Sequence, residues 1–255
     1  MYPATVSDFR LDRFEVTVGR FRAFVEAGMG TQQNPPAAGT GANPKVAGSG
    51  WDATWNAGLP ADKAALTSAL GGTAQYPGTW TELPSVNETL VMVDVSWYLS
   101  VAFCGWDGGW LPSEAQWNYA AAAGGVQRQF PWGNNPANSD FASYDCLADS
   151  PIPVGSCTGG TVTAVGAHSP KGDAYWGQAD MAGNAREWVR DLFSKTYPIP
   201  CSDCENLSTG TEIVARGGGA DAASTGITTF ARFSLFGSFK SYAFPTTGAR
   251  CARQP

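Results

Sequence analysis

Apolar residues recur at helical spacing in four places along the chain. Val18, Phe21, Phe24 and Val25 share one face, Thr17 stands where a hydroxyl can accept from the first free N–H groups, and Gly28 ends the run. Residues 61–70 predict a brief second helix. A third is expected over 97–106, capped by Ser96 and carrying Cys104. The fourth opens at Ser113 and Gln116, a capping box in which each side chain bonds the other's backbone N–H, and runs through the alanines at 120–123. Glu114 falls in its first turn, where the helix dipole favours a negative charge. Strand patterns are shorter. Phe9 and Leu11 alternate with charged neighbours, 91–95 reads as a strand, and 213–216 leads into Gly217, Gly218 and Gly219. A triple glycine permits close backbone approach or a bulge. No Lys-Ser/Thr follows it, so it is not a phosphate loop.

The remainder has no period. Residues 29–90 are mostly loop, rich in Gly, Pro, Asn and Ser and broken by Trp51, Trp55 and Trp80. A loop this long inside a compact domain is an insertion or has a function of its own, and its tryptophans are expected to anchor it to the body. Residues 130–133 predict a turn with buried aromatics, and 134–179 predict loops and short strands. With no internal repeat and no linker, the pattern describes one domain over 1–255 with a long loop insertion at about 29–90. The 31 Gly and 17 Pro agree with many turns and little regular structure.

Composition narrows the function. Charged residues make up 15% of the chain, against about 25% in an ordinary soluble domain, and the net charge is -6. Nucleic-acid binding needs a basic patch, so no nucleic-acid partner is expected. No apolar run approaches the ~20 residues of a membrane span. The opening residues Met1, Tyr2, Pro3 and Ala4 have no basic region and no apolar core, so no export signal is read in this chain. Six Cys in a Trp- and Gly-rich chain fit disulfides in an oxidising compartment, extracellular, periplasmic or at the cell surface. Spacing alone leaves fifteen pairings open. Zinc is the rival use of cysteine. Cys201-Ser202-Asp203-Cys204 is a CxxC, but no second CxxC follows and His168 is not beside it.

The densest chemistry lies in 180–191, where Asp180, Asn184, Glu187 and Asp191 stand with Gly183 and Trp188. Two readings stand side by side. One is a tight turn whose acids cap backbone N–H groups, with Trp188 in the core. The other is an oxygen-rich site for a hard cation such as calcium. His168 sits in a Gly-Ala-His-Ser-Pro loop and reads as a surface residue. Arg216 and Arg250 read as buried donors to loop carbonyls.

Several motifs follow one another along nearly the whole chain. They are Phe14-Glu15-Val16-Thr17, Val95-Ser96-Trp97, Ala102-Phe103-Cys104, Leu111-Pro112-Ser113-Glu114-Ala115-Gln116-Trp117, Phe130-Pro131-Trp132-Gly133, the stretch from Asp180 to Trp188, Arg216-Gly217-Gly218 and Gly248-Ala249-Arg250-Cys251. Each alone is modest, but in this order they resemble the formylglycine-generating enzyme (sulfatase-modifying factor) family. The match is thinnest over 29–90 and 134–170. The resemblance implies a compact, irregular α+β domain related to the C-type lectin fold. It implies that Cys104 pairs with Cys251, a bridge whose long loop is worth ~4–5 kcal/mol in the chain-entropy model. The other cysteines would then pair locally, as Cys146–Cys157 and Cys201–Cys204.

Enzymes of this family oxidise a substrate cysteine to formylglycine with oxygen and a copper(I) ion held by two thiolates, the soft ligands copper(I) selects. The positions corresponding to those thiolates are about Ala222 and Ile227, and no Cys lies between 205 and 250. No copper cofactor is therefore expected, and formylglycine formation is not. The related sulfoxide synthases hold iron through His residues on a fused helical bundle. This chain has one His and no such bundle, so it is not expected to be such an enzyme on its own. Calcium transfers better. The family's second calcium site corresponds to carboxylates from Asp180 and Glu187 and carbonyls from Gly183 and Ala185. Its first site looks degraded, with Ser143 near an Asn position and the family's expected downstream Asp not visible before Thr163.

Two functions follow from the resemblance. The first is an exported, non-catalytic binding module for a protein or peptide, with its ligand surface over 219–247. That segment carries Phe230, Arg232, Phe233, Phe236, Phe239, Tyr242 and Phe244 among small residues, a mix that gives paratopes contact area at low entropic cost. Variable proteins diversified by retroelements share this fold and vary this same region. The alternative use of those aromatics is as core residues of strands. The second function is an enzyme of other chemistry in the old pocket, with Asp221, Arg232, Lys240 and Arg250 as its polar groups. No nucleophile–base pair is legible for it.

Overall fold

The last third of the chain builds a sheet, and the helices of the first half close over it. This computed structural model describes residues 4–73, 78–146, 162–208, 210–236 and 246–255. Short strands β1 (Ala4–Thr5) and β2 (Arg10–Leu11) precede helix α1 (Val18–Glu26). Thr17 caps α1, its hydroxyl accepting from the Arg20 N–H at 3.2 Å. Then come α2 (Lys63–Leu70), α3 (Trp97–Trp106) and α4 (Glu114–Ala121), capped by Asp62, Ser96 and the Ser113–Gln116 box respectively. Strands β3 (Arg186–Leu192), β4 (Cys201–Ser202), β5 (Glu212–Arg216), β6 (Phe233–Phe236), β7 (Thr247–Gly248) and β8 (Ala252–Arg253) complete the chain. This is the α+β architecture the motifs implied.

The main sheet runs β6-β5-β3-β7. β5 lies antiparallel to β3 and β6, while β3 and β7 are parallel, with Glu187 paired to Arg216 on one side and Gly248 on the other. β2 pairs with β8, so the two ends of the chain meet, and β1 pairs with β4. Three buried tryptophans tie the helices to β3 and its flanks. The indole N–H of Trp97 donates to the Val189 carbonyl at 2.9 Å, that of Trp188 to Val95 at 2.9 Å, and that of Trp117 to Glu187 at 2.7 Å. Each pairing avoids the 1–3 kcal/mol that an unmet buried donor costs. Phe21 and Phe24 of α1 meet Phe103 of α3 at 5.3 and 5.7 Å. In the 29–90 segment, Trp51 and Trp55 meet edge to face, Trp55 meets Trp97, and Trp80 lies under the Arg22 guanidinium.

Three expectations change. Residues 91–95 form only one isolated bridge, Val91 to Thr17, beside that of Leu90 to Ala164, because Asp94 takes a left-handed φ of 57° that ends any extended run. Helix α4 stops at Ala121, since Ala123 and Gly124 are also left-handed. The 180–191 stretch is a turn followed by a seven-residue strand. Both faces of β3 are buried, so its charged residues hide the alternation by which a strand is read.

The Cys104–Cys251 bridge joins α3 to the segment before β8, and Cys201 is bonded to Cys204. Cys146 is also in a disulfide, and its expected partner Cys157 lies outside the described residues.

Candidate functional site

The turn before β3 is built from left-handed residues. Asp180, Gly183 and Asn184 have φ of 58°, 77° and 58°. A Cβ on Gly183 would stand 2.2 Å from the Ser143 carbonyl oxygen, so only glycine fits there. Asn184 tolerates the conformation and locks it, its amide nitrogen donating to Glu15 at 2.6 Å and its amide oxygen accepting from the Thr163 N–H at 2.7 Å.

The turn and the start of β3 bring Asp180 and Glu187 to one interior region, where Glu15 from the segment before α1 joins them. Glu187 is fully enclosed, with the Arg250 Nε and Nη2 atoms donating to its two oxygens at 2.7 and 2.6 Å and Trp117 adding a third bond. Glu15 accepts from Asn184 and from the Ala185 N–H. Asp180 accepts from the Gly166 N–H at 2.5 Å. Glu15 was legible only as part of a motif, and burial pairs it with this site. Three carboxylates thus face the guanidinium of Arg250. Burial raises the Glu15 carboxyl well above its ordinary range, helped by the charges of Asp180 and Glu187. Burial likewise lifts Asp180 to about 6, against the bond from Gly166 and the charge of Arg250.

This excess of buried negative charge is what a divalent cation would offset. The oxygen set also suits a hard cation. Neither the Gly183 nor the Ala185 carbonyl accepts a hydrogen bond from another loop or side chain among the described residues. Glu187 enters such a set only while shared with Arg250.

A second polar group lies beside the turn. The Ser143 hydroxyl is 2.9 Å from His168 Nε2, and Thr163 is 3.3 Å away. Contrary to the surface position expected of it, His168 is buried, and burial lowers its pKa against the pull of Asp140. The pair resembles a nucleophile and its base, but Ser143 is fully enclosed and no substrate can reach it.

A model of the sulfatase-modifying factor enzyme 1-like domain matches residues 1–255. The chain belongs to the sulfatase-modifying factor family. It is 30% identical over 240 residues to the formylglycine-generating enzyme of Thermomonospora curvata, covering 84% of this chain and 71% of that one. It is 29% identical over 179 residues to the hercynine oxygenase of Mycobacterium tuberculosis, covering 68% of this chain and 38% of that one. Treponema denticola variable protein 1 shares the fold, with a TM-score of 0.55 at 20% identity over 74% of this chain and 81% of that chain.

Within this sulfatase-modifying factor domain, Ala222 and Ile227, the positions read as corresponding to the copper thiolates, lie together. They pack with Phe130, Ala142, Tyr144 and Ala182 in one hydrocarbon cluster. Neither can supply a thiolate, and among the described residues no cysteine is free. Cys201 and Cys204 are bonded to each other. The described residues at these positions do not fit a copper(I) ion.

The 219–247 segment is described in part. Phe230 is 66% exposed. Arg232 is held by Glu114 at 2.6 and 2.7 Å and packs over Phe193 and Tyr197. Glu114 thereby bonds two guanidinium groups, since Arg216 reaches it at 3.0 Å. Phe233 is half-buried against the core, under the Arg186 guanidinium. Phe236 is on β6, and Phe239, Lys240, Tyr242 and Phe244 lie outside the described residues. Asp221 forms a two-pronged pair with Arg186 at 2.8 and 2.9 Å. Asp221, Arg232 and Arg250, the described polar groups considered for another chemistry, are therefore each committed to an ion pair.

Proposed function

We propose that this domain is a non-catalytic member of its family, an exported module that binds a protein or peptide through 219–247. The observation that carries this reading is the hydrocarbon filling at Ala222 and Ile227, where copper chemistry needs two thiolates. Disulfides support an oxidising compartment. The exposed Phe230 and the fold shared with a variable protein support the placement of the ligand surface. Retroelement-driven diversification of that segment is the form of the reading that explains its concentration of aromatic and small residues.

Calcium belongs to the same proposal, held by the carboxylate of Asp180 and the carbonyls of Gly183 and Ala185, with Glu187 shared with Arg250. Its role is structural, since it offsets charge inside the turn that starts β3. Calcium at ten to a hundred times its dissociation constant should add ~1.4–2.7 kcal/mol to the unfolding free energy, read as a higher Tm than in chelator. An unchanged Tm counts against the ion.

The binding reading is tested by panning random peptides against the purified chain. Enriched peptides should lose at least tenfold in affinity for Phe230→Ala while the variant's Tm stays within a degree. If nothing is enriched, or if binding ignores the 219–247 segment, the module reading fails, and an enzyme with other chemistry in the old pocket takes its place.

A further inference from the structure

A cleft of about 590 Å³ lies apart from the turn before β3 and from the 219–247 segment. Ser7, Asp8, Asn43, Lys45, Trp110 and Asp203 line it with others. Its volume is that of a small-molecule site, and its walls are mostly hydrogen-bonding side chains. One wall is the turn between Cys201 and Cys204. Asp203, between the two cysteines, takes a left-handed φ of 47°. Its carboxylate accepts from the Ser7 N–H and hydroxyl, both at 2.6 Å, and its own N–H donates to the Thr5 carbonyl at 2.9 Å. The disulfide thus holds the turn that fixes the Ser7 side of the cleft.

The two described disulfides differ in what protects them. Cys104 and Cys251 are fully enclosed, and their bond spans 147 positions. Cys201 and Cys204 are separated by 3, and Cys204 is half-buried, next in the chain to Asp203 of the cleft wall. A bond closing so short a loop restrains the unfolded chain less, so opening it costs the fold less than opening Cys104–Cys251 would. Exchange also needs access to one sulfur, and Cys204 is half-buried where Cys104 and Cys251 are fully enclosed. Lys45 has no ionic partner among the described residues and lines the cleft by which a thiolate would enter. A nearby ammonium favours the thiolate form.

We propose that Cys201–Cys204 is a thiol–disulfide exchange site opening onto this cleft, with a hydrophilic dithiol as its co-reactant. A thiolate of the dithiol attacks Cys204 Sγ, forming a mixed disulfide and releasing Cys201 as thiolate. The second thiol of the dithiol then displaces Cys204. The protein gains two electrons and two protons, and the dithiol leaves as its disulfide. Opening the bond releases the Asp203 turn and with it the Ser7 wall of the cleft.

The native, full chain is titrated with dithiothreitol and free thiols are trapped with iodoacetamide. Peptide mapping should find Cys201 and Cys204 alkylated at a reductant concentration at least tenfold below that needed for Cys104, Cys251 or Cys146. Amide exchange at Ser7 and Asp203 should rise in the same samples, while α3 stays protected. Lys45→Gln should slow the opening by about two- to fivefold at low salt. The variant Cys201→Ser/Cys204→Ser should keep its Cys104–Cys251 bond and release no thiol at the lower concentration. The proposal is overturned if all disulfides open together, or if Cys201 and Cys204 stay closed until the chain unfolds. It is also overturned if Ser7 and Asp203 keep their protection after reduction, or if Lys45→Gln leaves the rate unchanged.

Discussion

Replacing Arg250 by Leu removes the guanidinium that faces Glu15, Asp180 and Glu187. The change breaks two charge-assisted bonds to Glu187 at 2.7 and 2.6 Å and strips donors from the carbonyls of Asp12, Arg13 and Ala179. Removing one partner of a buried pair costs about 3–5 kcal/mol, because the other charge stays enclosed. Total stability is about 5–15 kcal/mol, so the loss is a large fraction of it. For a chain of this size the Tm should fall by on the order of 10 °C. Equilibrium urea unfolding at pH 7.5 gives the energy directly. The pH dependence identifies the cause. A carboxyl whose folded-state pKa is raised contributes stability below its unfolded value and loses it as pH rises through the folded value. For Asp180 that window runs from its ordinary 3.8 to about 6, and for Glu15 the direction is the same. Without Arg250 the charge that pulls both carboxyls down is gone, so the variant should recover part of its loss at pH 5. A loss under about 1 kcal/mol at pH 7.5, or an equal loss at both pH values, would refute the charge-cluster account.

Other consequences are as direct. Glu205, whose Oε2 is buried without a partner, has its carboxyl raised to about 7 by burial against the bond from Asn43. The rise from the ordinary 4.5 to about 7 corresponds to about 3 kcal/mol, so Glu205→Gln should be more stable than the parent by up to that amount at pH 8 and nearly equal at pH 4.5 in urea unfolding. In the chain-entropy model, Cys104→Ser/Cys251→Ser should lower the unfolding free energy by about 5 kcal/mol and Cys201→Ser/Cys204→Ser by about 2 kcal/mol, so equal losses would contradict the loop-length argument. Gly183→Ala pairs a left-handed φ with a 2.2 Å contact to backbone and should cost several kcal/mol, whereas Gly28→Ala, left-handed in open space, should cost about 1 kcal/mol. Thermal melts of the two variants make that comparison.

The helices were legible because their signals are local. Thr17, Ser96 and the Ser113–Gln116 box each cap the helix they announce. The Cys104–Cys251 and Cys201–Cys204 pairings were legible through resemblance, since spacing could not choose among fifteen. β3 was not legible, because Glu187, Arg190 and Asp191 are buried among partners distant in sequence, such as Arg250 and the Glu114 N–H. The same reason hid Glu15, whose contacts lie about 170 positions away, and placed His168 outside when it is inside. A charged residue in a sequence reads as surface, and only the fold shows which ones are neutralised. The 219–247 segment stood out by its composition, but Arg232 and Phe233 are held by Glu114 and the core.

The central claim is that two hydrocarbon side chains stand where the family's oxidation chemistry requires thiolates. Purified chain loaded with copper(I) and supplied with oxygen and a cysteine-bearing peptide should leave the peptide unlabelled by an aldehyde-reactive hydrazide. A hydrazide-labelled peptide that depends on both the chain and copper would contradict it.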